Sequence, residues 1–387
     1  MDRNGIVSVI CEYNPFHFGH AYQLQTLRER FDRVVCILSG DIVQRGSIAV
    51  ADKYIRAEAA LKSGADLVIE LPIPYCCSSA RDFAFSGVHI ASAIGSSHLG
   101  FSAEDDIGLL SEIHSLTSEI GFEDEVRSLV KQSKSLSFPQ AMTEIIKARL
   151  GNPAAEAMKK PNNILSLEYL KALDGTEMKP FTVKRSCDFL SSSQIRALSD
   201  GNAMISALPK ESKSVFEREL LERFPRDAKV LDAFFVGTLR RISCENAVSE
   251  ELYSTPKDLL QKILQASVKY SSVEDIVCAV ADKSYTHARV RRAINSAVFG
   301  ITRAQMANDP PYTTVLAVNE RGREVLKRAK SLKRIDIVNK PVRALELGEK
   351  TKKAFLFAKS VEDIISLSDP SPSPADIGRN PYIGGSV

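Results

Sequence analysis

Two histidines in one short segment are the first candidates for chemistry. His17 and His20 flank Gly19 in Asn14–His20, NPFHFGH. An imidazole N–H can donate to a phosphate oxygen as charge builds there, and a spacing of three brings two such donors to one side of a helix. Phosphoryl transfer needs positioning and charge stabilisation, so neither histidine has to be a nucleophile. Gly19 lets the main chain approach a nucleotide closely. An HxxH spacing alone is common, and its flanking elements decide its meaning.

Those elements are a strand, a turn and a helix. Ile6–Cys11 is a short apolar, β-branched run that reads as a buried strand. Asn14-Pro15 forms a turn, and helix-compatible sequence follows from His20. In a parallel sheet this order puts the histidines outside the carboxyl end of a strand, where the free N–H groups and positive end of a helix suit phosphate. Further strands read at Arg33–Ser39 and Asp66–Leu71, with helices at Lys53–Lys62 and Phe83–Ile94. This alternation implies an α/β fold with a Rossmann-like parallel sheet.

From about Ser102 to Leu173 the pattern is mainly helical, with a loop at Lys159–Asn163. Phe181–Arg185 reads as a returning strand and Ser191–Arg196 as a helix start, and Ile205–Phe299 is largely helical. Tyr312–Val318, Gly322–Lys330 and Arg334–Val338 read as a small α/β unit that closes the fold. The Ser-, Pro- and Gly-rich stretch Ser368–Val387 reads as a disordered tail. The expected organisation is a nucleotide-binding domain over 1–200 with a helical insertion at about 104–175, a basic helical to α/β domain over 201–367, and the tail.

With 387 residues, 44% of them apolar and 26% charged, the chain can build a sizeable core unaided. No stretch is long enough to span a bilayer, and the N-terminal apolar run is too short for a signal peptide, so a cytoplasmic location is expected. Seven scattered cysteines without a CxxC pair argue for reduced, partly buried thiols rather than zinc ligands. The net charge of +3 conceals a surplus of 11 positive charges over Ala281–Ser360, leaving about −8 elsewhere. That asymmetry suits a polyanion docking on the C-terminal part, and equally a solvated helical surface.

The wider text makes the turn specific. EYNPFHFGH resembles the HxGH signature of the nucleotidyltransferase superfamily. The blocks SGDIVQRG (Ser39–Gly46), DKYIR (Asp52–Arg56), GADLVIELP (Gly64–Pro72), FAFSG (Phe83–Gly87), PNNILSLEYLKAL (Pro161–Leu173), YTHARVRR (Tyr285–Arg292) and PYTTVLAVNERG (Pro311–Gly322) resemble the bacterial tRNA(Met) cytidine acetate ligases. The resemblance implies that acetate attacks the α-phosphate of ATP, giving acetyl-adenylate and pyrophosphate. The acetyl group then passes to N4 of the wobble cytidine in elongator tRNA(Met). Mg²⁺ would travel on the ATP phosphates.

Carried onto this chain, the resemblance makes His17 and His20 the catalytic pair. It implies an ATP site lined by Ile10, Glu12, Tyr13, Asn14, Pro15, Phe16, His17, Gly19, His20 and Gln23. Ser102, either Asn162 or Asn163, and Arg185 with Ser186 would complete nucleotide binding. Ser192 and Arg196, in a segment similar to the superfamily's ISSTxIR element, would meet phosphate. Asp41, Gln44 and Arg45 follow the second strand and are candidates for positioning acetate or RNA, with an ion pair the alternative for Arg45. Glu70 reads as a solvent or capping carboxylate. Arg289, Arg291, Arg292, Arg321, Arg323, Lys327 and Arg328 are candidates for tRNA phosphates, with Tyr285 and Tyr312 as possible stacking rings.

The chain departs from the family text at Ser102 and Ser166, where glycines are usual, at the short Ser186–Leu190 segment, and at Thr314 in place of arginine. The residues alone leave three readings: a ligase acting on tRNA, a small-molecule nucleotidyltransferase, and a non-catalytic RNA-binding protein on the same fold.

Overall fold

The computed structural model describes residues 5–133, 136–184, 189–245, 251–372 and 379–384. Strand β1 (Ile6–Cys11) is buried along its whole length because its side chains alternate into two cores. Ile6 and Ile10 enter one, Val7, Val9 and Cys11 the other. Burial on both faces is what a central parallel strand requires. β1 pairs in parallel with β2 (Arg33–Ser39) and with β4 (His98–Ala103); β3 (Leu67–Leu71) and β5 (Lys179–Lys184) extend the two sides.

Helices α1 (Phe18–Arg28), α2 (Lys53–Lys62) and α3 (Ala80–Ala93) connect these strands. Leu24, Leu27 and Ile55 pack under one face of the sheet, Phe83, Val88 and Ile90 under the other. The strand order β5-β4-β1-β2-β3 runs outward from β1 in both directions. Connections therefore diverge between β1 and β4, which opens a crevice at their carboxyl ends.

β4 is the strand that sequence reading missed, because HLGFSA has no β-branched residue and a central glycine. Gly100 is there for packing: a Cβ would lie 3.1 Å from Leu27 and 3.2 Å from Val7. Beyond β4, helices α4 (Ile107–Thr117), α5 (Phe122–Gln132), α6 (Phe138–Leu150) and α7 (Asn152–Ala157) form the expected helical arm. α8 (Pro161–Leu173) starts with proline at its first turn, so Pro161–Asn163 is helical rather than loop.

Short helices α9 (Ser192–Arg196), α10 (Gly201–Ser206) and α11 (Lys210–Arg218) follow β5. A separate apolar core then forms among α12 (Asp232–Glu245), α13 (Lys257–Lys269), α14 (Val273–Val280) and α15 (His287–Phe299), through Leu239, Leu259, Ile263, Val277, Val290 and Ile294. α16 (Arg303–Met306) leads back to the sheet.

The closing segment differs from expectation. β6 (Tyr312–Val318) pairs antiparallel with β3, and β7 (Asp336–Val338) pairs with β6, so these strands lengthen the first sheet instead of forming a unit of their own. Val315 and Leu316 feed the same two cores as β1. α17 (Glu320–Leu332) and α18 (Glu349–Ile365) cover this side. Nor is the whole tail without structure. Tyr382–Ile383 (β8) pairs with β6, and Arg379 reaches Asp52 at 3.1 Å while lying 4.4 Å over the Tyr54 ring. No described helix is long and apolar enough to cross a membrane.

Candidate nucleotide site at the end of strand β1

The turn after β1 is fixed from within. Tyr13 takes a left-handed backbone (φ 48°), a strained conformation for a non-glycine residue, and a cis peptide joins Asn14 to Pro15. Tyr13 is buried, with its hydroxyl 3.4 Å from Cys36 Sγ and its ring edge-on to Phe16 at 4.9 Å. Asn14 Oδ1 accepts the Val50 N–H at 2.8 Å, tying the turn to the loop after β2. Asn14 thus uses its amide oxygen structurally, and its carbonyl accepts from Arg196.

His17 caps α1. Its Nδ1 accepts the Gly19 N–H at 3.1 Å, and the His17 N–H donates to His20 Nδ1 at 3.2 Å. Each imidazole therefore uses Nδ1 as acceptor and carries its proton on Nε2. The rings stack with centroids 3.6 Å apart. The result is a pair of adjacent Nε2–H donors at the start of a helix. A Cβ at Gly19 would lie 3.0 Å from the His17 ring and crowd it.

Gln23 continues along α1 and donates through Nε2 to Ser102 Oγ at 3.1 Å, bridging the crevice from α1 to β4. Ser102 stands where the family pattern has glycine, and the hydroxyl has acquired this partner. On the far side, Ser191 caps α9 in a capping box with Gln194, and Ser192 is the first helical residue. Arg196, half-buried, joins Ser193 Oγ at 3.2 Å as well as the Asn14 carbonyl. Ile10 and Phe16 are buried in the two cores and shape the site from below. Arg185 and Ser186 lie outside the described residues.

The two asparagines separate cleanly. Asn163 is buried and fully engaged: Oδ1 accepts from Glu104 N at 2.9 Å and Asp105 N at 3.2 Å, and Nδ2 donates to Asp105 at 2.6 Å and Ala157 O at 3.1 Å. It holds the loop after β4. Asn162 is half-buried and donates to Glu104 Oε1 at 2.8 Å, which leaves it the more accessible member of the pair.

The loop after β2 is mostly internal. Asp41 is buried and accepts from Lys53 N (2.9 Å), with Arg226 at 3.2 Å and Arg56 at 3.4 Å. Burial pushes its carboxyl up, but Arg226, Lys53 and Arg56 outweigh that and hold it at about 2. Asp41 is an interior anchor, with no surface to offer acetate or RNA. Gln44 donates its N–H to Glu12 Oε1 at 2.9 Å and its side-chain amide to Ser78 O at 3.1 Å. Arg45 is exposed, and its charge, with those of Arg196 and Arg56, acts on Glu12.

Glu70 is not at the solvent: its carboxylate meets buried Lys53 at 2.6 Å, and Lys53 also contacts Glu362 of α18. Arg56, which sequence reading did not single out, is fully buried. It donates to the carbonyls of Glu12 (2.6 Å), Ser39 (3.1 Å), Gly40 (2.8 Å) and Ala51 (2.9 Å), stitching the carboxyl ends of β1 and β2 together. Four carbonyl acceptors from distant residues leave no periodic signal in sequence.

The basic candidates divide between two places. α15 lies against the loop after β2: Arg292 donates to Gln44 O at 3.3 Å and Asn295 to Gly46 O at 2.9 Å. Gly46 has φ 80°, and a Cβ there would lie 2.9 Å from Arg292 N, so glycine is required twice over. Arg291 pairs with Glu274 at 2.6 Å, and Arg289 stacks 5.1 Å over Tyr285. Arg289 also lines an open cleft of about 410 Å³ with Asp82, Tyr253 and Arg303. Arg321 and Arg323 are exposed on α17, whose first turn sits on Asp66 at the amino end of β3. They lie at the sheet edge opposite the histidines, as do Lys327 and Arg328 further along the same helix. Tyr312 is buried against Phe355 and cannot stack on a base.

A parallel sheet with a histidine pair capping the helix after its first strand defines a nucleotidyltransferase, and a HIGH Nucleotidyl Transferase family model matches residues 4–376. Curated relatives narrow the class. A tRNA(Met) cytidine acetate ligase of Thermoanaerobacter pseudethanolicus is 31% identical over 375 residues, 90% of this chain and 92% of the relative. That of Clostridium acetobutylicum is 30% identical, covering 93% and 97%. The crystal structure of Thermotoga maritima TmcAL bound with alpha-thio ATP superposes with a TM-score of 0.89 at 26% identity, over 99% of this chain and 100% of that one. The chain belongs to the tRNA(Met) cytidine acetate ligase family.

Proposed function

We propose that this chain uses ATP to activate acetate as acetyl-adenylate and transfers the acetyl group to N4 of the wobble cytidine of elongator tRNA(Met). The observation that carries the reading is the stacked pair of imidazoles at the start of α1, each oriented by a main-chain N–H on its Nδ1. In this reading an acetate oxygen attacks the α-phosphorus, the bond to the β-phosphate breaks, and pyrophosphate leaves. His17 and His20 donate to phosphate oxygens whose charge grows in that step, assisted by the helix terminus and by Arg196. Asn162, Ser102 and Ser192 complete the nucleotide's surroundings, and Arg185 and Ser186 are assigned there by family resemblance alone. Mg²⁺ would arrive with the ATP phosphates, on which it commonly rides.

The arginines of α15, rather than those of α17, are the RNA side of this reading, because they adjoin the loop that borders the crevice. The test is to supply ATP, acetate and elongator tRNA(Met) and to digest the product to nucleosides. N4-acetylcytidine at the wobble position, dependent on both ATP and acetate, is expected. Acetate-independent product, or none at the wobble position, would sink the assignment.

A further inference from the structure

We propose that Glu12 is the proton acceptor of the second half-reaction, taking the proton that the cytidine N4 amine loses as it is acylated. The inference rests on the acetyl-transfer reading above. A carboxylate beside a polyphosphate site repels its ligand, so it belongs there only if it meets something that becomes positive. Glu12 is the first residue beyond β1, immediately before the strained Tyr13, and so lies at the mouth of the crevice between β1 and β4.

Its carboxylate is held but not neutralised. Oε1 accepts the Gln44 N–H at 2.9 Å, and among the described residues Oε2 has no hydrogen-bond partner and no ion pair lies within 4 Å. Arg56 takes only its backbone carbonyl. The charged and titratable groups around it are Arg45 from the loop after β2, Arg196 from α9, Arg56 from α2 and Tyr169 from α8. Burial raises the Glu12 carboxyl above its ordinary value, against the lowering by the Gln44 N–H and those three arginines. A base so raised is better matched to neutral pH.

Gln44 also places Glu12 on the acceptor side. The residue whose N–H fixes Glu12 gives its own carbonyl to Arg292 of α15. One peptide segment therefore separates the carboxylate from the arginine helix. The step balances simply. The N4 nitrogen forms a bond to the acetyl carbon, the acyl C–O bond to phosphate breaks with its electron pair leaving on AMP, and the N4 proton passes to Glu12 Oε2. Glu12 then returns it to water.

The experiment separates the half-reactions in the full chain. In Glu12→Gln, acetate-dependent exchange of pyrophosphate into ATP measures what Glu12 contributes to the nucleotide site, and transfer should fall at least about tenfold further than exchange does. Single-turnover transfer to tRNA from enzyme preloaded with acetyl-adenylate should fall by about a hundredfold or more. In the wild type, transfer rate should rise with pH through one ionisation above the ordinary glutamate value. That limb should vanish in Glu12→Gln and return in Glu12→Asp. Parallel loss of exchange and transfer would overturn the proposal in favour of a nucleotide-positioning role, and recovery with excess Mg²⁺ in favour of a metal ligand. Unchanged transfer would overturn it outright. Absence of exchange or transfer in the wild type itself would instead indict the functional reading.

Discussion

α15 and α17 carry similar arginine clusters, yet they stand at opposite edges of one sheet. Arg292 of α15 touches the loop that borders the histidine crevice, whereas α17 begins on Asp66 at the amino end of β3. The reversal follows from β6, which pairs antiparallel with β3 and so delivers the next helix to the far edge. Charge density along a sequence therefore says nothing about which edge it serves. Strand direction decides it.

Variants at the two edges test this contrast. The largest effect is expected at the crevice: His20→Ala should lower acetate-dependent pyrophosphate exchange by about 10²–10³-fold, with tRNA affinity within about twofold of wild type by filter binding. A comparable loss of tRNA binding would show the turn to be structural for both edges.

The next concerns the anchor beneath the crevice. Asp41's carboxyl is depressed from 3.8 to about 2, so its stabilisation is complete above the unfolded value and disappears as pH falls through the folded one. Asp41→Asn should cost about 2 kcal/mol in urea melts at pH 7, and the difference from wild type should shrink steadily below pH 4. An equal difference at pH 7 and pH 2.5 would remove the ion cluster from the account.

Smaller again, Arg292→Ala should raise the KM for tRNA about tenfold and reduce its salt dependence, leaving the KM for ATP within about threefold. The smallest change belongs to the far edge. Arg321→Ala with Arg323→Ala should alter the KM for tRNA by less than about twofold. If this pair matched Arg292→Ala, RNA would have to wrap around the sheet, and the distinction between edges would fail.

Sequence made the first edge legible and the second not. IVSVIC and RVVCILS announce strands through largely apolar, β-branched runs, and the Asn-Pro turn before a helix locates His17 and His20. HLGFSA hid β4 because Gly100 answers to Leu27 and Val7, neither of them near it in the chain. YTTVLAV was readable as a strand, but its antiparallel partner about 250 residues earlier was not. Asp41 and Asn163 carried the right polarity for a site, and their interior roles depend on Arg226 and Asp105, which only folding brings to them.

The central claim is that the His17–His20 turn makes an acyl-adenylate. Its most direct test is isotope exchange between pyrophosphate and ATP with acetate present and tRNA absent. Exchange is expected to require acetate and to be lost in His20→Ala. Exchange without any carboxylate, none with acetate, or near-normal exchange in His20→Ala would contradict it.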